Sequence, residues 1–282
     1  MCPLYPQTAL APGPVAACDL ERLDDKLDRM QALWQQYGDC YRVPAVSRDA
    51  DTYVINHPDW VRRVLVSNHR NYIKGVGIER VRVLLGNGLM TSEGGQWRRQ
   101  RRLMQSAFHK PRVEAFFSIY FQQAKKFTDR CLSAANAGQA VNITEAVSET
   151  TLTAVLQALF SEDLDRFENE QGHSAFQLVS LDSRRDLQFA VRFRALGGLV
   201  QKVIDNRRRE QRFPADLLSH CLCAQDKTSG EPMADRQVID EVLTLIVAGH
   251  ETTAASLNWV WYLLATHPDS FQAVQERLQC FD

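Results

Sequence analysis

Apolar residues recur at three- and four-residue steps along most of this chain. Leu20, Leu23, Leu27, Met30 and Leu33 mark the first such stretch, which opens at Asp19 and has Gly38 as its stop. The period changes once. Cys40–Val46 and Thr52–Asn56 are rich in Val, Ile and Tyr and flank the polar turn Ser47-Arg48-Asp49-Ala50-Asp51, which predicts a hairpin. A helix begins at Pro58 behind a cap at Asn56 or His57. Residues 67–96 carry Gly75, Gly77, Gly86, Gly88, Gly94 and Gly95 and read as irregular. Helical periods return at 96–109, 112–135, 143–160, 187–211 and 235–266, and again from Pro268. The pattern predicts a mainly α fold with a small β region. Residues 1–18, with Pro3, Pro6, Pro12 and Pro14, read as an extended arm, and 19–282 as a single domain without internal repeats.

Composition narrows the classes. The chain has 282 residues, 45% of them hydrophobic, enough to bury a sizeable core. Thirty-three Lys and Arg face 34 Asp and Glu, so no global charge advertises nucleic acid. The seven cysteines (Cys2, Cys18, Cys40, Cys131, Cys221, Cys223 and Cys280) are scattered, no secretory leader precedes them, and no run of eighteen apolar residues occurs. A soluble protein of the reducing cytoplasm, without a membrane span, is expected.

Two segments carry residues that a plain core would not choose. The first is the helix at 235–266, about 48 Å long at 1.5 Å per residue. Val242 to Ala248 and Ala254 to Leu264 make it apolar nearly all round, so it reads as buried. Its middle, Gly249-His250-Glu251-Thr252-Thr253, places a glycine, two ionisable groups and two hydroxyls inside a core element. One reading is a locally opened helix, with threonine hydroxyls bonded one turn back and a groove for a small ligand, where Glu251 and Thr252 relay protons. The other is a polar collar between two cores, with His250 and Glu251 solvated. His250-Glu251 also begins H-E-x-x-H, but position 254 is Ala, so the second zinc ligand is missing.

The second segment runs from Gln96 to Arg112. Between 97 and 112 there are six Lys or Arg and no acid. On a helix Trp97 and Arg101 share one face, and an indole N–H and a guanidinium one turn apart can grip a carboxylate. Arg98, Arg99 and Arg102 spread onto other faces, either as a docking surface for an acidic partner or as a solvated basic face. Elsewhere, the Gly75-Val76-Gly77 and Gly86-Asn87-Gly88 stretches lack the Lys-Ser/Thr or third glycine of a phosphate cradle. Cys221-Leu222-Cys223 reads as two packed thiols. Arg207-Arg208-Arg209 closes a long helix at its negative dipole end.

Taken together and in this order, the two segments resemble the cytochrome P-450 superfamily of haem-thiolate monooxygenases. Ala248-Gly249-His250-Glu251-Thr252-Thr253 is similar to that family's distal-helix motif, and Trp97-x-x-x-Arg101 to its haem-propionate motif. The hairpin at 40–56, Asn56-His57-Pro58, Gly88-Leu89-Met90-Thr91-Ser92-Glu93 and His267-Pro268 fall where the family has comparable stretches. The resemblance implies a helical prism with a small β region and haem b as cofactor. It implies that Trp97 and Arg101 hold haem propionates, that Ala248 and Gly249 lie over the distal face, and that Thr252 and Glu251 deliver protons for dioxygen activation. It implies an electron donor, a ferredoxin or flavoprotein, docked through Arg98, Arg99 and Arg102, and a small organic substrate that is hydroxylated. The chain looks like the soluble bacterial members.

The resemblance also has a boundary. The family's Glu-x-x-Arg helix and the Phe-x-x-Gly-x-x-x-Cys-x-Gly loop that supplies the axial thiolate have no counterpart in the chain, so no metal ligand is assigned. A C-terminally truncated enzyme, inactive alone, is expected. The competing expectation is a haem-free helical binding protein derived from a degenerate enzyme.

Overall fold

The computed structural model describes residues 10–20, 24–47, 49–75, 77–167 and 187–279. The chain divides into two compact units, Met1–Ile73 and Lys74–Asp282.

In the first unit the helix α1 spans Lys26–Tyr37, later than the start at Asp19 that the periodicity predicts. It ends where Gly38 takes a φ of 81° and donates its N–H to Trp34 O at 2.8 Å. The strands β1 (Cys40–Val43) and β2 (Thr52–Ile55) pair antiparallel with Cys40 opposite Ile55 and Val43 opposite Thr52, shorter than predicted but in the predicted place. Alternation puts Tyr41 and Val43 inward, where they form a small core with Leu20 and Leu33. The part of the Pro-rich arm among the described residues, from Leu10, lies along this hairpin, and residues 1–9 lie outside the described residues. Arg42 donates its N–H to Pro12 O and Cys18 donates to Pro44 O, each at 2.8 Å. Gly13 sits so close that a Cβ there would lie 1.8 Å from Arg42 O, so no other residue fits. The helix α2 (Pro58–Arg62) has Pro58 in its first turn, and His57 Nδ1 accepts the Asp59 N–H at 3.3 Å. It runs into a π-helical turn at Arg63–Ser67.

The regular elements of the second unit are helices among its described residues, apart from an isolated bridge between Gln225 and Pro232. The helix α3 (Gly77–Leu85) lies inside the stretch that its glycines made look irregular. Then come α4 (Gly94–Gln105), α5 (Lys110–Ala115), α6 (Phe117–Asn136) and α7 (Ile143–Phe160). The single helix predicted over 112–135 is two helices. Pro111 starts α5, and the chain turns at Phe116, whose ring is buried. The remaining helices are α8 (Leu187–Glu210), α9 (Leu217–Cys223), α10 (Asp235–Thr266) and α11 (Pro268–Leu278). The periodicity did not predict α9, although Asp216 marks its start by accepting the Ser219 N–H at 2.9 Å.

One core joins Leu85, Met104, Leu159, Phe160, Phe189, Phe193, Ile204, Val242 and Leu243. At its edge Arg207, in the last turn of α8 where the Arg207–Arg209 run was expected, is 1% exposed. Its guanidinium bonds Asp216 through two nitrogens at 2.7 and 2.6 Å, Asp163 at 2.7 Å, Ser219 Oγ at 2.9 Å and Phe160 O at 3.0 Å. Burial alone lowers its pKa, but the Asp216 and Asp163 carboxylates outweigh that and raise it.

The helix α10 spans the predicted 32 residues, with α7 packed along it. Its first half is buried through Val238, Val242, Leu243 and Ile246. Its second half is not, contrary to the buried helix that its apolar sequence predicted. Trp259 is 64% exposed and Tyr262 58%. Among the described residues no helix is long and apolar enough to cross a membrane.

Candidate functional site

The polar interruption lies at the middle of α10, and the helix runs through it unbroken. The expected local opening is absent because each hydroxyl follows the helix. Thr252 Oγ1 donates to Ala248 O at 2.8 Å and Thr253 Oγ1 to Gly249 O at 3.1 Å. The close approach expected at Gly249 does occur, since a Cβ there would lie 3.0 Å from Val155 Cγ2 of α7. The polar residues divide. His250 is 2% exposed and its Nε2 pairs with Ser148 Oγ at 3.0 Å, so it is no part of a solvated collar. Glu251 is half-buried, while Ala248, Gly249 and Thr252 are exposed. Small residues therefore lie bare at the centre of the longest helix, directly after its most buried stretch.

A cavity of about 730 Å³ adjoins this face between α6, α7 and α10. Tyr120, Phe127, Val155, Ala248, Gly249 and Trp261 form much of its wall. Polar lining is sparse. Gln123 is tied to Gln157 at 3.0 Å, and burial raises the Tyr120 phenol.

On α4, Trp97 is half-buried and Arg101 exposed, one turn apart. Among the described residues neither donates to a protein group, which leaves an indole N–H and a guanidinium available to an external carboxylate. Their neighbours differ. Arg99 donates to Pro232 O at 3.0 Å and lies 3.7 Å from Asp226, and Arg102 donates to Asp226 at 3.2 Å. The backbone N–H of Thr228, then Arg102, hold the Asp226 carboxyl below its usual range. Arg99 and Arg102 thus clamp the turn at 226–232, and Arg98 is the member of the trio without an internal partner among the described residues.

The segment that feeds α4 is anchored by buried acids of α10 that the sequence reading missed. Asp240 accepts the Asn87 N–H at 2.9 Å and pairs with Arg194 at 3.1 Å, and Glu241 accepts the Leu89 N–H at 2.9 Å. The chain reaches these acids only as glycine. At Gly86, where φ is +73°, a Cβ would lie 2.1 Å from Asp240 Oδ1, and at Gly88 it would lie 2.5 Å from Thr244 Oγ1. These glycines serve close packing on α10, which is why no phosphate motif surrounds them. Lys74 completes the wrap, its ammonium donating to Leu89 O, Met90 O and Ser92 O at 3.3, 2.6 and 2.6 Å. Burial foremost lowers its pKa. Burial foremost also pushes the Glu241 carboxyl up, to about 7, against the Leu89 N–H. The available signal was an adjacent pair of acids, Asp240-Glu241, between Ile239 and Val242 on an apolar helix.

The sulfurs form no site. Cys221 is buried with Sγ 3.6 Å from Met104 Sδ, whereas Cys223 is exposed, so they are not the packed pair that the sequence suggested. Among the described residues no cluster of His, Cys, Asp and Glu could hold a metal ion.

Comparison with known proteins agrees with this layout. The profile of the family described as Cytochrome P450 matches residues 11–280. The chain is 29% identical to the cyclooctat-9-en-7-ol 5-monooxygenase of Streptomyces melanosporofaciens, over 93% of its own length and 59% of that protein. It is 30% identical to the pentalenene oxygenase of Streptomyces avermitilis, over 92% of its length and 60% of the relative. A crystal structure titled cytochrome P450DA heme domain superposes with a TM-score of 0.76 at 22% identity, covering 94% of this chain and 62% of that one. The chain thus spans about three fifths of these proteins. With a helical architecture, a distal-type motif on its longest helix and a profile match over nearly its whole length, it belongs to the cytochrome P450 family.

Proposed function

We propose that this chain is the part of a haem-dependent monooxygenase that holds the haem side chains and the distal helix, acting on a small apolar organic substrate. The observation that carries this reading is the pair Trp97 and Arg101. On a helix where Arg99 and Arg102 are engaged, these two donors make no hydrogen bond to a protein group among the described residues.

Haem b fits the residues present in two respects. Trp97 Nε1 and the Arg101 guanidinium are the donors for its propionates. Exposed Ala248 and Gly249 offer a face without bulky side chains. When bound, haem would supply the redox chemistry of dioxygen. The chain's part is proton handling. The Thr252 hydroxyl, donating to Ala248 O at 2.8 Å, keeps its lone pairs outward. It can accept a proton from a water and pass its own on by rotating away from the carbonyl. Half-buried Glu251 is the neighbouring acid that recharges it. Among the described cysteines Cys221 is the one enclosed in the core, and burial foremost pushes its thiol up to about 12.

The two relatives are named for cyclooctat-9-en-7-ol and pentalenene. Together with the apolar cavity wall, they favour an apolar ring compound as substrate. Electrons enter from an acidic ferredoxin or flavoprotein at the α4 surface, with Arg98 and the exposed side of Arg102 as its contacts. The five described cysteines are free thiols, as suits a cytoplasmic protein.

The test is a haem titration of the purified chain, followed by Soret absorbance and quenching of tryptophan fluorescence. Saturable one-to-one binding, weakened roughly tenfold by Arg101→Ala and by Trp97→Phe, supports the reading. Binding unchanged by both substitutions overturns the propionate role of Trp97 and Arg101, and no binding at all overturns the reading in favour of a haem-free helical binding protein.

A further inference from the structure

The segment 86–92 is held by a carboxyl group that none of the proposed chemistry uses. Glu241 is 1% exposed, and its Oε2 accepts the Leu89 N–H at 2.9 Å. Its Oε1 is buried without a hydrogen-bond partner among the described residues. A charge there is poorly solvated, because one N–H replaces the several water contacts a carboxylate commands. The charged and titratable groups that face it are few. Asp240 on its own helix repels the charge, and Lys74 from the segment before α3 attracts it. From α9 comes Cys221, whose raised thiol stays neutral. Lys74 spends its three donors on the carbonyls of Leu89, Met90 and Ser92, so it serves the backbone of the segment rather than Glu241. The segment runs directly into α4, which begins at Gly94 and bears Trp97 and Arg101.

We propose that Glu241 is a positioning residue for the start of α4: protonated, it seals segment 86–92 against α10, and ionised, it lets that segment lift. The inference deepens the reading of Trp97 and Arg101 as a propionate grip, but its test needs no haem. The sign follows from linkage. In the closed form the carboxyl titrates at about 7, whereas a solvated carboxyl in the lifted form titrates near the ordinary value of 4.5. The closed form therefore binds the proton more tightly. Closure is firmest below the ordinary value, weakens as pH rises towards about 7, and levels off above it.

The experiment is amide hydrogen exchange of the full chain between pH 5 and 8, corrected for the intrinsic pH dependence of exchange and read at residues 86–92. Protection of this segment should fall by roughly one hundredfold across that range. In Glu241→Gln, which keeps an acceptor for the Leu89 N–H but cannot ionise, protection should stay at the acid level throughout. Constant protection in the native chain, or the same decline in the variant, overturns the proposal. Should the variant not fold, infrared titration of the native chain decides. A protonated buried carboxyl that persists to near neutral pH and vanishes in step with the loss of protection supports the latch, and titration of every carboxyl in the ordinary acid range overturns it. Absence of haem binding would defeat the propionate reading and leave the exchange result unaffected.

Discussion

His250 Nε2 lies 3.0 Å from Ser148 Oγ in the seam between α7 and α10, one residue before the acid of the distal motif. The imidazole is 2% exposed, so this bond forms where water does not compete. It ties α10 to α7 beside Glu251 and Thr252. Ser148→Ala should therefore cost about 1–2 kcal/mol of unfolding free energy, measured by urea denaturation. An unchanged midpoint would show that the imidazole is satisfied without the hydroxyl.

Thr252 has a separable role. Its hydroxyl bonds only its own helix, at Ala248 O, so its removal should leave the fold and haem affinity intact. In a full-length monooxygenase that carries this segment, haem-loaded and supplied with electrons, Thr252→Ala should lower product formed per dioxygen consumed by roughly 10-fold to 100-fold. Thr252→Ser should retain most of that coupling. Equal coupling in all three proteins would remove Thr252 from the relay.

Arg207 joins α8 to the cap of α9 and to Asp163. Arg207→Ala leaves Asp216, 0% exposed, buried without its cation, and Asp163, 1% exposed, with Arg212 alone at 2.7 Å. The expected loss is about 3–5 kcal/mol, seen as a large drop in the urea midpoint at pH 7. A loss below about 1 kcal/mol would mean that Asp216 finds another partner.

The cysteines give a chemical check on burial. Burial is the main cause that lifts the Cys221 thiol to about 12, with Glu241 and Asp216 adding to it, whereas Cys223 two residues on is exposed. Alkylation of the native chain at pH 8 should label Cys223 within minutes and leave Cys221 unmodified until urea is added. Labelling of both at equal rates would show that α9 does not pack as described.

Much of the fold was legible because helices state themselves locally. The apolar period over 235–266, the cap before Pro58 and the stop at Gly38 depend on neighbours within a turn or two. The same holds for the distal motif and for Trp97 with Arg101, where one helical turn sets the spacing of the functional groups. Composition misled where glycine was chosen for contact rather than conformation. Gly86 and Gly88 looked like breakers, yet they mark where the chain presses onto Asp240 and Thr244, more than 150 residues away in sequence.

The sequence alone thus determined most of the helices, the hairpin and the places of the motifs along them, but not the helices at Gly77–Leu85 and Leu217–Cys223. Tertiary structure decided which charges are spent. Arg99, Arg102 and Arg207 look alike in a basic run, but their partners Asp226, Asp163 and Asp216 are brought to them only by the packing of turns and helices. It likewise decided that His250 is interior while Glu251 is half-buried, and that Glu241 meets Leu89. Burial and pairing are properties of distant chain segments in contact, and no local period encodes them.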